Sequence, residues 1–118
     1  ENLPVKSGFS RAYPSTVDES EGMLSMFRGL EFCIDIGHLR KSSIDVYEAI
    51  KRLAGRSNCV HIHDATASED HLAIGKGDID FSRVFSALTF GGFEGTALIE
   101  VPDVKGCLES LARLRSFL

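Results

Sequence analysis

Phe32-Cys33-Ile34-Asp35-Ile36-Gly37-His38 decides the fold. Side chains alternate across a strand, so Phe32, Ile34 and Ile36 share one face and Cys33, Asp35 and Gly37 the other. The bulky face suits packing beneath helices. The Asp35 face needs a polar or functional interior, because a buried carboxylate without a partner costs several kcal/mol or more. His38 follows just past the strand, where loops carry chemistry.

On the N-terminal side, Thr16-Val17-Asp18-Glu19 matches a capping box, in which hydroxyl and carboxylate satisfy each other's orphan backbone N–H groups. It predicts a helix with Met23, Leu24 and Phe27 on its apolar stripe, ending at Gly29. Glu1 to Val5 reads as the end of a strand, and Val5 to Pro14 as loop. On the C-terminal side, Ser42 or Ser43 is the expected cap of a second helix carrying Val46, Tyr47, Ile50 and Leu53 and stopped by Gly55. Cys59 to Asp64 reads as the next strand, and Ala65 to Asp80 as a long polar loop. Asp80 caps a third helix with Phe81, Val84, Phe85 and Leu88, ended by Gly91 and Gly92. Thr96 to Val101 is a strand broken by Pro102. Asp103 caps the last helix, with Val104, Leu108, Leu111 and Leu118 on one face. The pattern is βα repeated four times, each unit about 30 residues, and strict alternation argues for a parallel sheet.

The 118 residues suit one domain spanning 1–118. No apolar run approaches the roughly 20 residues of a membrane helix, and the start lacks the pattern of a secretory leader. The chain opens without an initiator Met, as expected of a piece cut or processed from something longer. Cys33, Cys59 and Cys107 are an odd count without metal-type spacing, which points to reduced core thiols in a cytoplasmic protein. A net charge of −4 and the lack of a basic stripe count against nucleic acid as a partner.

In each full strand an acid or histidine opposes the branched residues: Asp35 opposite Ile34 and Ile36, His61 and His63 opposite Val60 and Ile62, Glu100 opposite Ile99 and Val101. In α/β proteins the active site forms beyond the C-terminal strand ends. Glu1, Asp35, His38, His61, His71 and Glu100 lie at or just past such ends. Carboxylates with imidazoles suit a borderline divalent ion such as Mn, Zn or Co rather than a soft thiolate metal. Taken singly, each residue has a structural alternative. Asp35 could cap a helix, His61 could be a hydrogen-bonded core residue, and Glu100 could pair with a lysine. His63 is read as structural, orienting a neighbour. Gly75-x-Gly77 neither follows a strand nor opens a helix, so it reads as a turn rather than a dinucleotide loop.

Glu1-Asn2-Leu3, the segment Cys33 to His38, His61-Ile62-His63-Asp64, His71 to Phe81 and Leu98-Ile99-Glu100-Val101 together resemble the xylose isomerase-like TIM-barrel superfamily. That group includes sugar isomerases and epimerases, inosose dehydratases and class II apurinic endonucleases. The order and spacing match strands five through eight, so the resemblance implies a (β/α)8 fold of which this chain is the C-terminal half. A full barrel runs about 250 residues. A half barrel exposes two sheet edges and an open apolar face, so the resemblance implies a missing N-terminal half-barrel or a homo-oligomeric partner.

Residue by residue, Glu1, Asp35, His61 and Glu100 resemble the four metal ligands of the sugar epimerases, for Mn, Zn, Co or Mg. The positions of Glu1 and Glu100 also shuttle the proton there, that of His38 contacts substrate, and that of His71 is held by a substrate-contacting or metal-binding residue. The implied activity is isomerisation or epimerisation of a sugar or sugar phosphate through an enediolate. A base takes the C–H proton and a cation holds the developing charge. The endonucleases resemble the chain at Asp35, His38, His61 and His71, and imply zinc-dependent phosphodiester cleavage instead; Glu69 stands where they carry aspartate. Ala65-Thr66-Ala67-Ser68 also departs from the Asn and Gly of many relatives. A non-catalytic half-barrel is the third possibility.

Overall fold

The computed structural model describes residues 1–5 and 12–117. Most of the predicted loop from Val5 to Pro14 lies outside them, as does Leu118.

Three parallel strands, β1 (Phe32–Asp35), β2 (Ser57–Ile62) and β3 (Thr96–Ile99), form a sheet in the order β1-β2-β3. Five α-helices accompany them among the described residues: α1 (Val17–Met26), α2 (Ile36–Lys41), α3 (Val46–Leu53), α4 (Phe81–Phe90) and α5 (Val104–Leu114). The core lies between the sheet and its helices. Ile34, Val60 and Ile62 from the strands meet Ile50 and Leu53 of α3 and Val84 of α4, all fully buried. Burying each such side chain contributes about 1.5–3 kcal/mol. The register sets the site. Cys33 stands opposite Cys59 and Asp35 opposite His61, while His61 stands opposite Leu98. The Glu100 N–H bonds Ile62 O at 3.1 Å, which carries the ladder one step past β3.

The capping box at Thr16 and Glu19 forms as expected. So do the caps at Asp80, which accepts from the Ser82 and Arg83 amides, and at Asp103, which accepts from Gly106.

Three expectations are corrected. The residues Glu1 to Val5 form no strand. The Phe32 strand stops at Asp35, because its carboxylate accepts the His38 amide and starts α2 there. The next helix is capped by Asp45, whose carboxylate takes the Tyr47 and Glu48 amides; Ser42 instead closes α2, with Ser43 at φ 57° behind it. Val104, Leu108 and Leu111 share one face of α5 as expected, and that face is turned outward, with Val104 77%, Leu108 61% and Leu111 41% exposed, while Gly106, Ser110 and Leu114 turn inward. The adjoining strand β3 is an edge with Thr96, Ala97 and Leu98 exposed, so no described element covers that side.

The loop after β2 is ordered by one buried carboxylate. Asp64 accepts from the amides of Ala65 (2.9 Å), Gly75 (2.8 Å) and Ile79 (3.2 Å), and its backbone forms a two-way bridge with Leu72. Gly75 takes φ +86°, and a Cβ at Gly77 would overlap Ala65 O and Asp64 Oδ1. The Gly75-x-Gly77 segment is therefore a close-packed turn.

Candidate metal centre

Asp35 ends β1 with its two oxygens in different employment. Oδ1 accepts the His38 amide at 2.8 Å and faces His63 Nε2 at 2.9 Å. Oδ2 is buried without a hydrogen-bond partner. Burial opposes the charged carboxylate, but the hydrogen bond from His63, aided by the His38 amide, outweighs it and holds the Asp35 pKa below its ordinary value.

Buried Asn2 clamps the Asp35 backbone. Its Oδ1 accepts the Asp35 N–H at 2.8 Å and its Nδ2 donates to Asp35 O at 2.9 Å. This side-chain pair does the work of a neighbouring strand, and it delivers Glu1 to the strand tips. Nothing in the sequence gives Asn2 a role, because the contact spans 33 residues.

The four residues expected to bind metal meet at His61. Its Nδ1 lies 2.9 Å from Glu1 Oε2, 2.9 Å from Glu100 Oε2 and 3.6 Å from Asp35 Oδ2. His61 Nδ1, Asp35 Oδ2 and Glu100 Oε2 are all buried without a hydrogen-bond partner. Carboxylate oxygens and an imidazole lone pair crowded together repel one another unless something positive joins them. Two atoms about 2.1 Å from a shared ion and at right angles to it stand about 3.0 Å apart. The spacing around His61 Nδ1 therefore fits a divalent ion, and the donor set is the oxygen-rich kind that borderline ions accept.

Three more imidazoles line the same side. The His63 ring stacks on His71, with centroids 4.3 Å apart and planes 4° from parallel, and His38 meets both edge-on. The His71 N–H points at His63 Nδ1 at 2.8 Å, so that nitrogen carries the lone pair and Nε2 holds the proton aimed at Asp35. His63 is thus placed to orient Asp35. Its ring lies where a Cβ at Gly37 would be, so Gly37 is required by a close approach that the sequence alone does not reveal. His38 Nδ1 faces Asn2 O at 3.2 Å and Asp35 Oδ2 at 3.3 Å. His71, at φ 56°, places Nε2 3.7 Å from Glu100 Oε1 and Nδ1 3.4 Å from Asp70. The Lys41 ammonium binds Asp70 at 2.8 Å and, with His71, holds its carboxyl below the ordinary value against the opposing effect of burial.

One pleat below Asp35 and His61, Cys33 and Cys59 face one another as free thiols. Burial first, then the Cys59 thiol and the Glu1 charge, push the Cys33 thiol up to about 12. No helix among the described residues is long and apolar enough to cross a membrane.

Comparison with known proteins agrees with this architecture. The uncharacterized protein MJ1311 of Methanocaldococcus jannaschii is 27% identical over 121 residues, covering 100% of this chain and 41% of that protein. A D-tagatose 3-epimerase-like protein superposes with TM-score 0.77 at 24% identity, over 98% of this chain and 44% of the other. L-ribulose 3-epimerase gives 0.69 at 24%, over 98% and 38%. The IOLI protein, solved with a bound zinc atom, gives 0.63 at 16%, over 85% and 42%. The chain thus spans less than half the length of each of these relatives. The xylose isomerase-like TIM barrel description matches residues 1–117, and the chain belongs to that family.

Proposed function

We propose that the protein containing this chain is a divalent-metal-dependent isomerase or epimerase acting on a sugar or sugar phosphate. The observation that carries this reading is the convergence of Glu1, Asp35 and Glu100 oxygens on His61 Nδ1, with three of the four atoms buried and lacking hydrogen bonds. That two structural neighbours are a D-tagatose 3-epimerase-like protein and an L-ribulose 3-epimerase supports the substrate class. Glu1, Asp35, His61 and Glu100 would hold the ion, for which Mn, Zn, Co and Mg are candidates. When bound, it supplies positive charge to the oxygens of the substrate as the adjacent C–H bond ionises.

The chain's own residues do the rest. Glu1 and Glu100 approach His61 from separate segments, so their carboxylates can address the substrate carbon from two sides. One removes a proton and the other returns one, passing through an enediolate. Protonation from the opposite side inverts the carbon; transfer to the neighbouring carbon isomerises. His38 and His71 border the same space and would bond substrate hydroxyls. Asp35 keeps its charge through His63, so the site stays anionic at neutral pH. This reading requires the rest of a closed barrel, from a further part of the protein or from a partner chain.

The phosphodiesterase alternative needs further cations on the other imidazoles. Both nitrogens of His63 are engaged, and His38 Nδ1 already faces Asn2 O and Asp35. With His63 withdrawn, His38 and His71 make a poorer cation set than the one around His61.

The test is solvent exchange. The intact protein, loaded with Mn(II) and given ketoses in deuterated water, should incorporate deuterium at the carbon beside the carbonyl. Glu100→Gln should abolish incorporation while the fold persists by circular dichroism. Full exchange in Glu100→Gln, or cleavage of abasic-site DNA with three zinc ions bound, would refute the proposal.

A further inference from the structure

We propose that Cys33, Cys59 and His61 form a second cation site, for a thiophilic divalent ion of the zinc and cadmium class. Cys33 and Cys59 are partners in the parallel register of β1 and β2, so their side chains leave the sheet side by side on one face. His61 lies two residues beyond Cys59 and shares that face. One ligand atom from each of the three residues lies within 4.8 Å of the other two. Two sulfurs bound about 2.3 Å from a tetrahedral ion stand about 3.8 Å apart. A side-chain adjustment of about 1 Å, without strand movement, would therefore close the three donors on one ion.

The donor set differs in kind from the oxygen-rich set above it. Two thiolates and an imidazole select zinc or cadmium over manganese or magnesium. As each sulfur–metal bond forms, its thiol releases a proton to solvent, and the neutral complex of two thiolates with one divalent ion needs no oxidant. Water or a further side chain completes the fourth position. The third cysteine, Cys107, lies on α5 and takes no part.

His61 is common to both sets, so the two sites are linked. Whether the ring is shared or captured, a dication at the cysteines disfavours another above them, by repulsion or by loss of a ligand. Linkage is reciprocal, so manganese must weaken thiophilic binding by the same factor that cadmium weakens manganese binding. A cell's zinc level could thereby govern loading of the upper site. The thiol site itself does not depend on the isomerase reading.

The test uses the reduced, metal-free protein titrated with cadmium chloride. A thiolate-to-cadmium charge-transfer band should saturate at one ion per chain. It should vanish in Cys33→Ala/Cys59→Ala, and survive in Cys107→Ala and in Glu100→Gln, which impairs only the upper set. In the unaltered protein, cadmium should slow iodoacetamide labelling of Cys33 and Cys59 at least tenfold relative to Cys107, read by peptide mass spectrometry; this readout needs no variant to fold. A band that persists in the double variant, that requires Cys107 or that disappears in Glu100→Gln would overturn the site, as would unchanged labelling rates.

Discussion

His63 Nε2 stands 2.9 Å from Asp35 Oδ1, both side chains are fully buried, and the ring occupies the space a side chain on Gly37 would need. The proton of one imidazole therefore fixes which carboxylate oxygen is spoken for and which is left facing His61. Gly37→Ala tests this directly. Gly37 sits in helix α2, where alanine alone should gain up to about 1 kcal/mol by propensity. Overlap with the His63 ring should cost about 1–3 kcal/mol. We expect the clash to win: the variant should melt lower and bind Mn(II) at least tenfold more weakly. Higher stability with unchanged affinity would show that the ring has somewhere else to go.

Asp35→Asn should weaken Mn(II) binding by tens of fold, on the scale expected for losing a ligand or its support. It should also uncouple His63. In a cycle with His63→Gln, the two losses should fall short of additivity by about 0.5–3 kcal/mol, because each change breaks the same contact. Isothermal titration of the four proteins gives the coupling. Strict additivity would mean that His63 acts independently of Asp35.

The depressed Asp35 pKa has a definite sign in stability. A carboxyl that ionises more readily folded than unfolded binds more protons in the unfolded state at acid pH, so stability rises with pH there. The contribution is complete above the unfolded value of about 3.9 and disappears as pH falls through the lower, folded value. Without metal, the urea midpoint of the natural protein should exceed that of Asp35→Asn at pH 6, and the gap should narrow towards pH 3. A gap independent of pH would assign the difference to packing rather than charge.

Short-range signals were legible in the sequence, and long-range ones were not. Thr16, Asp80 and Asp103 announce helices because a cap and its amides lie within three residues. Helix α2 escapes notice because its six residues are too few to show a period, and Ile36-Gly37-His38 prolongs the alternation of β1. Asp45 outcompetes Ser42 and Ser43 as a cap because one carboxylate oxygen accepts both the Tyr47 and Glu48 amides. Periodicity groups Val104, Leu108 and Leu111 correctly on one face, yet it cannot say whether a neighbour covers that face. The acids and imidazoles at strand ends could be marked individually. Their meeting depends on the β1–β2 register and on the Asn2 clamp, neither of which leaves a local trace.

Asp64 gives the last prediction, concerning how the His71 loop is held. Its fully buried carboxylate accepts three amides and, through the Leu72 bridge, positions the residue whose N–H fixes His63. Asp64→Asn keeps the shape but turns one acceptor oxygen into an NH2 group facing a backbone N–H. Leaving a buried donor unmatched costs about 1–3 kcal/mol, so the melting temperature should drop by about 4 °C or more. The amides of Gly75 and Ile79 should then exchange with deuterium far faster than those of Val60 and Ile62 in β2. The His71 amide should loosen with them, since its acceptor is reached only while the loop is closed. Uniform exchange across loop and sheet would mean that Asp64 stabilises the whole domain rather than this loop.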